Sequence, residues 1–285
     1  MDNNENVAFI GSGVMGTALA TAAARSIKAD RIMVTDVEQE KALNLSKALG
    51  CLTGTNNEAV ERSKYLVFCV KPQFLISTLN EIKKTVQSCL LKGLEKVIVS
   101  IVAGIDSQIY FDNLCAAGMH LPIIRMLPNT ACLIGKGYTL ILDDGRHSPE
   151  HRIAIETILK YSGDFYTLPP SRFVAGTVLT STSPAFVTMF VSSLADGGVY
   201  NGLMRSEAKK LALQGILSTV QLMIDIDKHP EQLKDEVCSP GGPAIFGVKS
   251  LEDTGFRKSV INAVVTAYAR FGDMENFSGV KSTGK

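Results

Sequence analysis

The run Gly11-Ser12-Gly13-Val14-Met15-Gly16 has the residue types and spacing that hold a phosphate. In such a run the first glycine allows a tight turn, the second lets the backbone approach a pyrophosphate, and the third lets a helix pack on a strand. The apolar residues 7–10 precede it and a helical pattern over 17–26 follows, the strand-to-helix context that a dinucleotide site requires. The N–H groups at the start of that helix would then bind the phosphates. The competing reading is three glycines that serve only a structural turn.

A second candidate, Asp36, follows Gly16 by 20 residues at the end of the apolar run 32–35. A carboxylate there accepts hydrogen bonds from the ribose 2′- and 3′-hydroxyls and repels a 2′-phosphate. The segment after it, Val37-Glu38-Gln39-Glu40, is acidic and holds no arginine. NADH is therefore favoured over NADPH, the alternative being that Asp36 caps the next helix. Val70-Lys71-Pro72 and Ala103-Gly104 each end a strand pattern, where the carboxyl edge of such a sheet meets its cofactor. Far downstream, Ser239-Pro240-Gly241-Gly242 leads into the apolar helical pattern 244–251. Free N–H groups at a helix start, with a hydroxyl beside them, can hold a carboxylate. On pattern alone a plain helix-to-helix turn with Ser239 as cap serves equally.

The elements that must position these residues fall into two halves. Apolar runs at 7–10, 32–35, 65–70, 97–101, 123–126 and 138–142 alternate with helical patterns up to residue 168. This predicts an N-terminal α/β domain over residues 1–168, a doubly wound parallel sheet of the Rossmann type covered on both faces. After Pro169-Pro170 the apolar positions of 186–203 and 208–226 recur at three and four residues, which predicts an all-helical domain over 169–285. Two helices this apolar leave a face exposed, so self-association through the second domain is expected. Residues 184–194 are too short and too interrupted by hydroxyls to span a bilayer, which needs roughly 20 apolar residues, and read as a buried core helix. The tail from Asn276 is rich in Gly, Ser and Lys and is expected to be disordered.

Composition narrows the function. A net charge of +1 with the two signs interspersed gives no footprint for nucleic acid or a membrane surface. The residues 1–6 are polar and acidic, unlike an export signal. Six scattered cysteines without a C-x-x-C pair suit reduced thiols in the cytoplasm, and four scattered histidines show no metal-ligand spacing. Small-molecule chemistry without a metal is the expectation.

The chain resembles the pyrroline-5-carboxylate reductases. The resemblance runs from the glycine motif through Val70-Lys71-Pro72, Ser100-Ile101-Val102-Ala103-Gly104-Ile105 and Arg125-Met126-Leu127-Pro128-Asn129-Thr130. It continues through Ser183-Pro184-Ala185-Phe186, Ala195-Asp196-Gly197-Gly198-Val199, His229-Pro230 and Leu233-Lys234-Asp235, and its most specific part is 237–242, followed by Leu251-Glu252 and Gly255-Phe256-Arg257. The resemblance implies a C-terminal dimerisation domain, homodimers with rings of dimers as a further step, and hydride transfer from NAD(P)H to the imine carbon of Δ1-pyrroline-5-carboxylate, giving L-proline. It implies that Ser239, Gly241 and Gly242 anchor the carboxylate of this cyclic imino acid, while Asn57, Val70, Lys71, Pro72, Ala103 and Gly104 line the cofactor side.

The chain departs from the family pattern at Ser181 and Ser183, where glycines are usual, at Ala131, where proline is usual, and at Ala244. The last stands where a threonine normally meets the substrate nitrogen, which leaves Ser183 as a candidate replacement donor. Two other readings remain. A β-hydroxyacid dehydrogenase would need a basic lysine on the first long helix of the second domain, and residues 176–202 contain none. A catalytically altered paralogue could bind the dinucleotide as a sensor or scaffold, or reduce a related cyclic imine.

Overall fold

The computed structural model describes residues 5–277. Its first half alternates strands and helices: β1 (Val7–Ile10), α1 (Val14–Ala24), β2 (Ile32–Thr35), α2 (Gln39–Leu49), β3 (Leu52–Thr53), α3 (Asn56–Arg62), β4 (Tyr65–Phe68), α4 (Pro72–Leu91), β5 (Val97–Ser100) and α5 (Gln108–Leu114). Then come β6 (Ile123–Leu127), β7 (Gly137–Leu142), α6 (Pro149–Ile158) and β8 (Gly163–Leu168). The strands form one sheet in the order β3-β2-β1-β4-β5-β6-β7-β8. Every residue of β1, β2, β4 and β5 is buried, as strands covered on both faces must be. One apolar cluster under α3, α4 and α5 includes Ile10, Leu66, Phe68, Leu79 and Tyr110. Another under α1, α2 and α6 includes Phe9, Val34, Tyr65, Val99 and Ile155.

The sheet is not wholly parallel. Strand β7 runs antiparallel to β6, with Met126 opposite Ile141. Only residues 128–136 separate the two, fewer than the dozen or so that a parallel crossover needs. Strands β3 and β8 were not expected from the sequence. β3 is two residues long and largely exposed, and β8 is an edge strand in which exposed and half-buried residues alternate. Phe173 of α7 (Pro170–Thr177) packs with Leu127, Leu140, Leu142 and Leu168.

After α7 and a π-helical turn at Val178–Thr182 come α8 (Ser183–Tyr200), α9 (Arg205–Ile226), α10 (Pro230–Val237), α11 (Pro243–Asp253) and α12 (Phe256–Phe277). The chain divides into two compact units. One comprises residues up to Ser181 with those from Tyr268, and the other is Thr182–Ala267. In the second unit α8 and α9 pack together and Phe190 meets Phe256 at 5.8 Å between ring centroids.

One expectation fails here. The segment 184–194 is no buried core helix in the single chain, since Ala195 is the one buried residue of α8. Val187, Met189, Phe190 and Leu194 are exposed, as are Leu211, Leu217 and Ile224 of α9. The helical run Pro170–Tyr200 is also long enough to cross a membrane and contains an 18-residue stretch of mean hydropathy 1.4. Beyond the end of α12, the Gly/Ser/Lys-rich tail lies outside the described residues.

Candidate active site

The order of the strands reverses between β1 and β4, so the carboxyl ends of these two strands open the crevice where a doubly wound sheet binds its ligand. Gly11 leaves β1 with φ +105°, a conformation open to glycine. A Cβ there would lie 2.9 Å from the backbone of Cys69, and one at Gly16 would lie 2.0 Å from the Gly11 carbonyl oxygen. These two glycines answer to the protein's own packing. Gly13 is different: it precedes α1 in extended backbone at φ −72°, and a Cβ there would meet nothing within 4 Å. The fold itself does not demand a glycine at 13, whereas a phosphate brought against the helix start would. No side chain caps α1, so its first N–H groups remain available to an anion. The residues present thus fit a dinucleotide pyrophosphate. Val14, 64% exposed, and the half-buried Met15 follow on the first turn.

Asp36 is not the cap of α2, whose N-cap is Glu38 without a side-chain cap bond. The Asp36 carboxylate accepts the N–H of Ser12 at 2.7 Å and that of Glu38, just ahead of α2, at 2.9 Å. It therefore ties the glycine loop to the start of α2. A carboxylate has about four acceptor sites, so both bonds leave capacity for ribose hydroxyls. The Ser12 hydroxyl turns inward and donates to the Thr35 carbonyl at 3.0 Å, which also accepts the Gly11 N–H at 2.9 Å.

Of the residues expected on the cofactor side, Val70 and Lys71 lead from β4 into α4, whose first residue is Pro72. Proline has no N–H to leave unpaired, so it suits that position. Ala103 and Gly104 follow β5, with Gly104 at φ +69°. Asn57 is turned elsewhere, because its Oδ1 accepts the Thr85 hydroxyl of α4 at 2.5 Å. Its neighbour Asn56 reaches the end of β2 instead, accepting the Thr35 hydroxyl at 2.6 Å and donating to Glu81 at 2.9 Å. The Thr55-x-x-Glu58 capping box fixes this phase. That pattern is visible in the sequence and would have placed Asn56 as the first residue of α3.

Beside β6, Asn129 donates to the Thr180 carbonyl at 3.1 Å and accepts the Tyr138 N–H at 3.2 Å. The Ser181 hydroxyl donates to the Pro128 carbonyl at 3.3 Å, which gives this serine a partner that glycine would not supply. A π-helical turn such as this one is often found at functional sites.

In the second unit, the residues Ser239, Gly241, Gly242 and Ala244 form one tight turn and helix start. The Gly242 N–H donates to the Ser239 carbonyl at 3.0 Å, and Gly241 takes φ +69°. A Cβ at Gly242 would lie 2.3 Å from Ser239 Oγ, so the serine hydroxyl sits directly over this glycine. Pro243 opens α11, so the first helix-start N–H groups left over belong to Ala244 and Ile245. Ser183, half-buried, is the first residue of α8.

Fold and site together define a dinucleotide-binding oxidoreductase with a helical second domain. Residues 6–104 match a family model described as NADP oxidoreductase, coenzyme F420-dependent, and residues 170–274 match one described as pyrroline-5-carboxylate reductase dimerisation. A pyrroline-5-carboxylate reductase of Methanosarcina acetivorans is 33% identical over 270 residues, 94% of this chain and 97% of the relative. One from Synechocystis is 34% identical over 92% of this chain and 95% of its own. A crystal structure of a Plasmodium falciparum pyrroline carboxylate reductase with NADP bound superposes with a TM-score of 0.83 at 28% identity, covering 96% of this chain and 100% of that one. The chain belongs to the pyrroline-5-carboxylate reductase family.

Proposed function

We propose that this protein reduces Δ1-pyrroline-5-carboxylate to L-proline with hydride from a bound nicotinamide dinucleotide, and that NADH is the better coenzyme. The observation that carries the substrate is the Ser239–Gly242 turn. Its hydroxyl and the N–H groups at the start of α11 form a compact donor set for a small carboxylate. A protonated imine is already electrophilic, so the protein's task is to hold and orient it, and no strong base is required. The nicotinamide, when bound, supplies the hydride that converts the C=N bond to an amine. The α1 N-terminus and Gly13 receive the pyrophosphate, and Asp36 receives the ribose. Asp36 and the acidic segment after it support NADH, because a 2′-phosphate would meet like charge there.

The same reading includes a homodimer formed through 170–274. Its support is the exposed apolar surface of α8 and α9, with a groove of about 590 Å³ lined by Phe190, Leu194, Leu203, Leu211 and Val220. Rings of dimers are a further step of the same proposal, and a cytoplasmic location is supported by six free cysteines. The test is loss of NADH absorbance with pyrroline-5-carboxylate, run beside hydroxy acids and larger cyclic imines. Turnover of pyrroline-5-carboxylate above the others is the expected result. Tight dinucleotide binding with no turnover of any substrate would replace the enzyme with a sensor or scaffold.

A further inference from the structure

We infer that Tyr110 is a positioning residue for the dinucleotide site, holding the 102–104 loop in its binding shape through Ser100. The inference rests on the reading above that Ala103 and Gly104 border the coenzyme. Tyr110 lies in α5 with no exposed surface, and its hydroxyl shares a 2.6 Å hydrogen bond with Ser100 Oγ. Ser100 is the last residue of β5, and its Oγ accepts the Val102 N–H at 3.3 Å. A continuous path of hydrogen bonds therefore runs from α5 through the strand end into the loop.

The ring of Tyr110 braces a second strand end. It packs edge-on against Phe68, the last residue of β4, at 5.3 Å between centroids and 66° between planes. The Ile101 N–H donates to the Phe68 carbonyl at 3.3 Å. One side chain thus supports the points at which the chain leaves β4 for Val70 and β5 for Ala103. A phenylalanine would fill the same space without the cost of burying a hydroxyl, so the hydroxyl needs a reason. The Ser100 relay provides one, because an unpartnered Ser100 Oγ would be free to rotate away from Val102. Burial pushes the Tyr110 phenol well above its ordinary pKa, which keeps its proton in place.

The test compares Tyr110→Phe, Ser100→Ala and the double variant. It reads NADH dissociation by ligand fluorescence, steady-state constants with pyrroline-5-carboxylate, and thermal unfolding. Each single change is expected to raise Kd and KM for the coenzyme about three- to ten-fold, the span of one ordinary hydrogen bond. KM for the imine should stay within about twofold of the wild type, and the double variant should be no worse than the poorer single one. If Tyr110→Phe lowers Tm while the coenzyme constants hold, or if the two changes act independently, the inference is overturned. Should Tyr110→Phe fail to fold, Ser100→Ala alone decides by the same constants. Wild-type protein that binds no dinucleotide would overturn this inference and the functional reading together, whereas normal wild-type binding with an unmoved Tyr110→Phe constant overturns this one alone.

Discussion

The three glycines of the nucleotide loop should separate into two kinds under substitution by alanine. At Gly16 a methyl group would lie 2.0 Å from the Gly11 carbonyl oxygen, where the neighbour is backbone and has little room to yield. Overpacking of this sort costs about 1–3 kcal/mol and sometimes more, and Gly16→Ala should lower Tm by several degrees. At Gly13 the methyl meets nothing within 4 Å and the backbone, at φ −72° and ψ −171°, suits any residue. The unfolded chain loses freedom, which stabilises by about 0.4–1 kcal/mol. Alanine is a poorer N-cap than glycine, and that offsets a similar amount. Gly13→Ala should therefore melt within about 1 kcal/mol of the wild type while its NADH dissociation constant rises at least about tenfold, roughly 1.4 kcal/mol. The chain has no tryptophan, so the emission of NADH itself can follow binding. Gly13→Ala that folds normally and binds NADH as tightly as the wild type would refute the assignment of this loop to the pyrophosphate.

NADH should give a higher kcat/KM than NADPH by about tenfold, and Asp36→Ala should reduce that ratio by impairing NADH; a wild type that prefers NADPH sinks the coenzyme proposal. Light scattering at micromolar concentration should give at least a dimer mass, and a stable monomer would contradict the proposed interface. Lys96 is buried and donates to the Val60 and Ser63 carbonyls at 2.6 and 2.7 Å, so Lys96→Met should cost about 2–4 kcal/mol in urea unfolding. Burial lowers the Lys96 pKa, so in the window between its folded value and the ordinary 10.5 the unfolded chain binds the extra proton, and wild-type stability rises with pH there. Lys96→Met should lose that rise. For the altered pocket, a cycle of Ser183→Gly and Ala244→Thr is read as kcat/KM with pyrroline-5-carboxylate. If Ser183 supplies the donor that Ala244 lacks, Ser183→Gly costs about tenfold and Ala244→Thr restores it; a gain from Ser183→Gly in both backgrounds would mean that the serine is an obstacle.

The parts of this molecule that were legible in the sequence are those in which one residue has one job. Four-residue apolar runs such as Val7–Ile10 and Tyr65–Phe68 are buried on both faces, so their pattern is unbroken. β8 failed to announce itself because it lies at the edge and interleaves Asp164 and Tyr166 with half-buried neighbours. The antiparallel turn of β7 was readable in the shortness of 128–136, but only once β6 and β7 were treated as neighbours. Among the candidate residues, Gly11 and Gly241 are legible because their positive φ favours glycine, and Gly16 because a Cβ there would meet the Gly11 carbonyl. Asn56 and Asn57 differ by 100° around a helix and not at all in type, so choosing between them required the phase set by Thr55. Nothing local pointed to Tyr110, whose bond to Ser100 depends on how α5 lies under β5.

The apolar hairpin of α8 and α9 poses the one question that hydropathy answers badly. A run of 31 residues that contains an 18-residue stretch of mean hydropathy 1.4 would suit a bilayer by length, and most of its second half is exposed in the single chain. Its surroundings argue for protein instead. Asp196 in α8 pairs with Arg205 at the start of α9 at 2.5 Å, and α9 also carries Glu207, Lys209, Lys210 and Asp225 among its exposed leucines. Each charge of this kind at the centre of a bilayer costs about 2.5–3.5 kcal/mol. At the rim of a contact between two proteins it stays hydrated while the leucines beside it are covered. The second copy of the chain offers the same exposed leucines in return, and a two-fold interface needs that self-complementarity.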